Sequence, residues 1–317
     1  MAFAGTGKIW MNGTFVDWKD ANIHIATHVI HYGSGVFEGA RCYSTPKGSA
    51  CFRLEPHMRR LIESAKIYRM EYPLDLQGWM NVVLETIRVN EIKSCYIRPL
   101  VYRGYKELGV NPIGIPVDAA VMVWDWGAYL GAGAVEEGAD VKVSSWNRMA
   151  PNTLPAMAKT TANYANSQLI KMEALADGYS EAIALDVNGN ISEGSGQNIF
   201  IVRDGQLYTP PLGSSILGGI TRDSIITLSK DAGKRVREEP YSIEQWRADA
   251  ASGKLKEAFA CGTAAVISPI GKVCSVNGDF TISGGAAGPV AMGLRKQLVD
   301  IQYGRTNDPH NWIRKVF

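Results

Sequence analysis

Two α/β domains, α+β in their strand pairing, are what the 317-residue sequence predicts. Three observations lead there. The chain is about twice the roughly 150 residues of one ordinary domain. Helical periodicity and short β-rich runs joined by tight turns occur in both halves without regular alternation, which argues against one doubly wound sheet. Residues 127–137 (Gly-Ala-Tyr-Leu-Gly-Ala-Gly-Ala-Val-Glu-Glu) are small and Gly-rich, and read as a linker between a small N-terminal domain over 1–126 and a larger C-terminal domain over 138–317.

The elements follow in order. Ile9-Trp10-Met11, the turn Asn12-Gly13 and Phe15-Val16 form a hairpin signal. Pro56 to Met70 is a helix with Met58, Leu61, Ile62 and Ala65 on one face, Pro56 suiting its first turn. Leu76 to Asn90 repeats the pattern through Met80, Val83, Leu84 and Ile87. Residues 96–102 and 119–124 read as strands, and Val141 to Ser145 opens the second set. Asn163 to Ala176 is a helix stopping near Gly178. Turn signals at Asn188-Gly189 and Asp204-Gly205 divide 181–209 into an antiparallel meander. Thr221 to Ala232 and Pro289 to Tyr303 are helices, and Ala258-Phe259-Ala260 is a short strand.

Composition narrows the function. With 46% hydrophobic and 20% charged residues, the chain is too apolar to be disordered. A net charge of +2 with dispersed basic residues gives nucleic acid or a membrane surface little to grip. No apolar run is long enough to span a bilayer, and the N-terminus lacks the basic and apolar regions of a secretory signal. Five widely spaced cysteines without C-x-x-C suggest a reduced, cytoplasmic protein with buried thiols.

Lys159 is the most informative residue, the only charged side chain between Met149 and Ile170. A lysine among small apolar neighbours can lose its charge on burial and act as a nucleophilic amine; the alternative is an exposed lysine in a loop of low charge. Leu217-Gly218-Gly219-Ile220-Thr221-Arg222 enters a helix whose N-terminal amides favour a phosphate. Cys261-Gly262-Thr263-Ala264-Ala265 offers a second bend with exposed amides, and Arg59 a guanidinium. Glu193, flanked by small residues ahead of an apolar strand, is either an inward acid or a solvated turn carboxylate. His24, His28 and His31 have helical spacing but no local companion ligand, so a metal is not expected. No Walker A loop, G-x-S-x-G elbow or H-E-x-x-H is present, and Gly131-Ala132-Gly133-Ala134-Val135-Glu136 fails as a dinucleotide fingerprint. Trp124, Trp126 and Tyr129 are core or pocket wall.

An amine, an acid and phosphate-friendly turns together suggest pyridoxal 5'-phosphate (PLP). The run Glu193-Gly194-Ser195-Gly196-Gln197-Asn198-Ile199-Phe200, then Leu207-Tyr208-Thr209 and Leu217-Gly218-Gly219-Ile220-Thr221-Arg222, resembles the signature of class IV aminotransferases. Blocks such as Val36-Phe37-Glu38-Gly39, Tyr96-Ile97-Arg98-Pro99-Leu100 and Ser144-Ser145-Trp146-Asn147-Arg148 extend the similarity, over roughly residues 8 to 300, to bacterial-type branched-chain amino acid aminotransferases. The resemblance implies a fold-type IV enzyme whose C-terminal domain carries an antiparallel-rich sheet or barrel. It implies reversible amino transfer from L-leucine, L-isoleucine or L-valine to 2-oxoglutarate, in a homodimer or assembly of dimers. Lys159 would be the Schiff-base and proton-carrying lysine, Glu193 the partner of the pyridine nitrogen and Tyr164 the partner of the ring oxygen. Arg59, Ile220, Thr221 and Thr263 would hold the phosphate. Thr263, Ala264 and Tyr96 would take the α-carboxylate, Phe37, Tyr129 and Tyr164 would wall the side-chain pocket, and Tyr32 and Arg98 would admit the second carboxylate of glutamate. Gln197 stands where many relatives have Glu, and the loop 103–109, which helps close the pocket in the family, is less typical. The same resemblance leaves a D-amino acid or R-selective amine transaminase, or aminodeoxychorismate lyase, as alternatives. A PLP-binding protein without catalysis is a rival of another class.

Overall fold

The computed structural model describes residues 5, 7–126 and 137–317, so most of the expected linker lies outside the described residues. The chain divides into two units. The first takes Met1–Gly127 together with Ala158–Ala162 and Asp300–Phe317, and the second takes Ala128–Met157 and Asn163–Val299. Ala158–Ala162 and Asp300–Phe317, which the sequence reading places in the C-terminal domain, fall in the first unit.

The first unit is an antiparallel sheet. Its strand order is Ile313–Lys315, Gly48–Phe52, Ala40–Thr45, Cys95–Arg103, Val117–Trp124, Lys8–Met11 and Thr14–Asp17, with Gly35–Phe37 also pairing with Cys95–Arg103. Helices Leu54–Ile67 and Leu76–Val89 cover it, burying Leu54, Met58 and Leu61 from one and Val83, Leu84 and Ile87 from the other. Both carry the apolar stripe that burial requires. Asp75 caps the second, accepting a hydrogen bond from the Gly78 amide at 2.7 Å.

The second unit holds a nine-stranded mixed sheet, in the order Ile191–Gly194, Glu181–Leu185, Ala139–Val143, Val266–Cys274, Leu255–Gly262, Asn198–Arg203, Gln206–Thr209 and Val236–Glu238, with Phe280–Thr281 beside Val266–Cys274. Three of its pairings are parallel. The stretch 181–209 is therefore not one meander: its two hairpins are separated in the strand order by three strands from elsewhere in the chain. Helix Ile243–Ala251, unmarked by hydrophobic periodicity, starts with a capping box between Ser242 and Gln245 and buries Trp246. No helix among the described residues is long and apolar enough to cross a membrane, and no group of potential metal ligands occurs among them. His28 instead contacts Ser34 Oγ and the Gly109 carbonyl, and His31 the Ile25 carbonyl.

Candidate active site

The expected site residues fall in both units, and each set has a definite local geometry. In the first unit, the segment Ala158–Ala162 docks on residues 33–37. Val36 and Thr160 form a β-bridge, the Phe37 amide donates to the Lys159 carbonyl at 3.0 Å, and Thr161 Oγ1 donates to the Gly33 carbonyl at 2.6 Å. Gly33 ends the short helix His28–Tyr32 in the left-handed region at φ 62°, where an L side chain is costly, and a Cβ there would also lie 3.1 Å from that of Ala162. The Lys159 amide donates to Ser64 Oγ on the covering helix at 3.0 Å. Backbone bonds on two sides thus fix the residue that carries the amine. The side chain is half-buried, with Nζ 4.9 Å from the Phe37 ring centroid.

Beside it lies a buried charge cluster. Glu38 is fully buried and receives Arg60 Nε at 2.6 Å, Arg60 Nη2 at 2.9 Å and His57 Nδ1 at 2.7 Å. Burial alone raises the Glu38 pKa, but the Arg60 guanidinium and the His57 hydrogen bond outweigh it and hold the carboxyl well below its usual range. Burial lowers the His57 pKa against the pull of Glu38, so a neutral His57 donates its Nδ1–H. Arg59 has no part in this. It lies on the outer face of the same helix, its side chain 61% exposed, paired with Glu55 one turn back at 2.7 Å. The sequence expectation for Arg59 is corrected by one residue: the helix turns Arg60 inward.

Strand Cys95–Arg103 supplies an aromatic wall. The Arg98 guanidinium lies 4.8 Å from the Phe37 centroid, 5.4 Å from Tyr96 and 5.9 Å from Trp124, and its buried Nε has no hydrogen-bond partner among the described residues. Tyr96 packs on Trp124 at 5.0 Å and edge-on to Trp126 at 4.4 Å. Its hydroxyl fits because residue 39 is glycine: a Cβ there would sit 2.0 Å from Tyr96 Oη. Tyr32 is exposed, its ring tilted against that of His28 with centroids 4.5 Å apart. Tyr129 lies outside the described residues.

In the second unit, Glu193 is buried rather than solvated. Arg148 Nη2 meets Oε1 at 2.9 Å, and Asn198 Nδ2 and the Leu217 amide both donate to Oε2 at 3.1 Å. Arg148 is itself held by Asn166 Oδ1 at 2.8 Å and Ser167 Oγ at 3.2 Å. Neither Arg148 nor Asn198 stood out as a site candidate in the sequence; Arg148 closes the uncharged stretch that made Lys159 conspicuous. Asn198 ties Glu193 to the next feature, its Nδ2 also donating to the Leu217 carbonyl at 2.9 Å. Helix Ile220–Asp231 begins after Gly219, where a Cβ would strike Asn198 Oδ1 at 2.0 Å. The first-turn amides of Ile220 and Thr221 have no intrahelical acceptor and carry the positive end of the helix dipole. Thr263 and Ala264 lie in the three-residue turn closed by the Gly262–Val266 pair. Val266 closes it at φ 63°, a region costly for a β-branched residue. Tyr164 is half-buried in helix Thr161–Ala176.

The first unit thus holds an amine anchored by its backbone, and the second a buried anion with its own cation and a helix N-terminus beside it. The family description "Amino-transferase class IV" matches residues 35–273. This chain belongs to the class IV amino-transferases. Within that family it is 46% identical over 310 residues to the branched-chain-amino-acid aminotransferase of Escherichia coli (strain K12), covering 97% of each chain. The crystal structure of the Escherichia coli branched-chain amino acid aminotransferase superposes with a TM-score of 0.91 at 46% identity, covering 99% of this chain and 100% of the other. The branched-chain amino acid aminotransferase from Thermobaculum terrenum, in its PLP-bound holo form, gives a TM-score of 0.88 at 30% identity, covering 98% of this chain and 99% of the other.

Proposed function

We propose that this class IV amino-transferase is a pyridoxal 5'-phosphate-dependent branched-chain amino acid aminotransferase, moving the amino group of L-leucine, L-isoleucine or L-valine to 2-oxoglutarate. The residues present fit the cofactor. Lys159 offers a half-buried amine, Glu193 a buried anion for a protonated ring nitrogen, and Tyr164 a hydroxyl for the ring oxygen. Ile220 and Thr221 offer helix-end amides for a phosphate, joined by Thr263 and, in place of Arg59, by the inward Arg60. When bound, the cofactor supplies an electron sink for the charge left at the substrate α-carbon.

The chain's own residues do the rest. Lys159 Nζ takes the proton released at the α-carbon and returns it on the other side of the transfer. Arg148 keeps Glu193 compensated in its buried position, so that the acid meets the ring nitrogen as an anion. The turn amides of Thr263 and Ala264 and the Tyr96 hydroxyl receive the α-carboxylate, and Phe37 walls the aliphatic side chain. Arg98 is the observation that carries the substrate assignment. Its guanidinium is held by aromatic faces, and no acidic side chain pairs with it among the described residues. An arginine held this way serves the second carboxylate of glutamate without a competing internal acid, and tolerates leucine because its charge remains over the rings. Tyr32, exposed at the end of the short helix His28–Tyr32, joins Arg98 in admitting that carboxylate.

We further infer a homodimer or assembly of dimers working in the cytoplasm. The loop 104–114 displays Tyr105, Leu108, Val110 and Ile113 to solvent, an apolar surface suited to a second copy, and all five thiols are unbridged.

The test is a substrate panel with 2-oxoglutarate, following cofactor absorbance and 2-oxo acid release. L-leucine, L-isoleucine and L-valine should turn over with ping-pong kinetics, and Lys159→Ala should abolish both turnover and the absorbance of lysine-bound cofactor. Turnover of D-alanine alone would overturn the substrate assignment. An unchanged spectrum in Lys159→Ala would overturn the role of the lysine.

A further inference from the structure

Three cysteines stand in one row across three neighbouring strands of the first unit. Cys42 pairs in register with Cys51 on one side and with Cys95 on the other. Directly opposed residues of an antiparallel pair point to the same face, and all three lie in one buried core cluster. None is bridged.

The two contacts of Cys42 differ. Strands Ala40–Thr45 and Gly48–Phe52 are joined by the two residues Pro46 and Lys47, with Thr45 opposite Gly48. The pair closing a two-residue hairpin is hydrogen-bonded, and pair types alternate from there. Thr45–Gly48 and Tyr43–Ala50 are therefore hydrogen-bonded pairs, and Ser44–Ser49 and Cys42–Cys51 are not. Cys42 turns its amide and carbonyl toward Cys95 instead. A non-hydrogen-bonded pair has Cα atoms about 4.5 Å apart, against about 5.5 Å for the other type. Both separations lie within the disulfide range, but the closer pair brings the side chains nearest.

We propose that Cys42 and Cys51 form an oxidant-sensitive dithiol that a small peroxide converts to a cross-strand disulfide, with Cys95 as the neighbouring thiol left reduced. Cys42 is the entry point. Its two thiol neighbours favour the ionisation of Cys42, while burial and the Cys42 charge oppose that of Cys51 and Cys95. The Cys42 thiolate attacks the peroxide O–O bond, giving a sulfenic acid and releasing hydroxide. The Cys51 sulfur then attacks the Cys42 sulfur, the S–O bond breaks and its oxygen leaves as water with the Cys51 proton. Two thiols are oxidised by two electrons, and one peroxide is reduced to two waters. Both sulfurs are buried in the fold, so peroxide reaches them through local opening at the sheet edge, where the three-residue strand Ile313–Lys315 flanks Gly48–Phe52, with Arg314 opposite Cys51. A short edge strand opens more readily than the core.

The experiment treats the reduced, cofactor-loaded protein with hydrogen peroxide, quenches with acid, alkylates after unfolding and maps the non-reduced digest by mass spectrometry. The expected product is a Cys42–Cys51 linked peptide pair, lighter by two hydrogens and lost on treatment with dithiothreitol, while Cys95, Cys261 and Cys274 remain alkylated. Cys51→Ser should instead leave a dimedone-reactive sulfenic acid at Cys42, and Cys95→Ser should still form the link. Full alkylation of Cys42 and Cys51 after peroxide, or a link to Cys95 in the unaltered protein, overturns the proposal. Because the readout is a covalent bond, it stands or falls separately from the aminotransferase assignment.

Discussion

Replacing Arg148 by methionine tests whether the anion of the second unit depends on its buried cation. Arg148 and Glu193 are 5% and 7% exposed and meet at 2.9 Å. Removing one partner of such a pair costs about 3–5 kcal/mol, because the other charge stays buried without compensation. Two donors remain on Glu193, from Asn198 and the Leu217 amide, both at 3.1 Å, so the lower end, about 3 kcal/mol, is the expectation. Equilibrium urea unfolding at matched cofactor loading measures it. A double-mutant cycle with Glu193→Gln then isolates the pair. Arg148→Met with Glu193→Gln should be less destabilised than the sum of the single changes by about 2 kcal/mol, since both charges are gone. A single variant within about 0.5 kcal/mol of the parent, with an additive double variant, would refute the argument.

The correction at positions 59 and 60 is directly measurable. Arg59→Gln removes an exposed i,i+4 pair worth about 0.3–0.5 kcal/mol and should leave cofactor affinity unchanged. Arg60→Met should weaken pyridoxal phosphate more than pyridoxal in equilibrium binding, and the reverse ranking of the two variants would restore Arg59. Glu38 sets a pH dependence. Its pKa in the fold lies below the ordinary value of 4.5, so its stabilisation is present above that pH and is lost as the pH falls. Glu38→Gln should be less stable at neutral pH and lose stability less steeply below about pH 4.5; parallel acid unfolding curves would contradict this.

Where the sequence had a period, it was legible. The helices Leu54–Ile67 and Leu76–Val89 bury the faces that Met58, Leu61, Val83 and Ile87 mark. Strands 35–37, 40–45 and 48–52 were not legible, because Gly, Ala, Ser and Cys fill them without polar alternation. Tertiary pairing on both sides makes them strands. The charge on Lys159 and the small residues around Glu193 were visible as isolated signals, and only the family resemblance joined them. The choice between two adjacent arginines had a local clue, since Glu55 four residues before Arg59 marks the solvent face. Arg148 and Asn198 escaped notice because their partners are distant in sequence or reached only by the turn at Leu217.

The assignment of residues 300–317 to the first unit has a bearing on biogenesis. Ile313–Lys315 pairs with Gly48–Phe52, the Val316 carbonyl accepts from Arg88 Nε at 2.7 Å, and the Arg53 amide donates to the Trp312 carbonyl at 2.7 Å. The early-translated sheet therefore waits for its lysine-bearing segment until residues 128–157 have been made, and keeps one border open until nearly the whole second unit has emerged from the ribosome. Co-translational maturation runs out of order with the gene: the half made first is finished last.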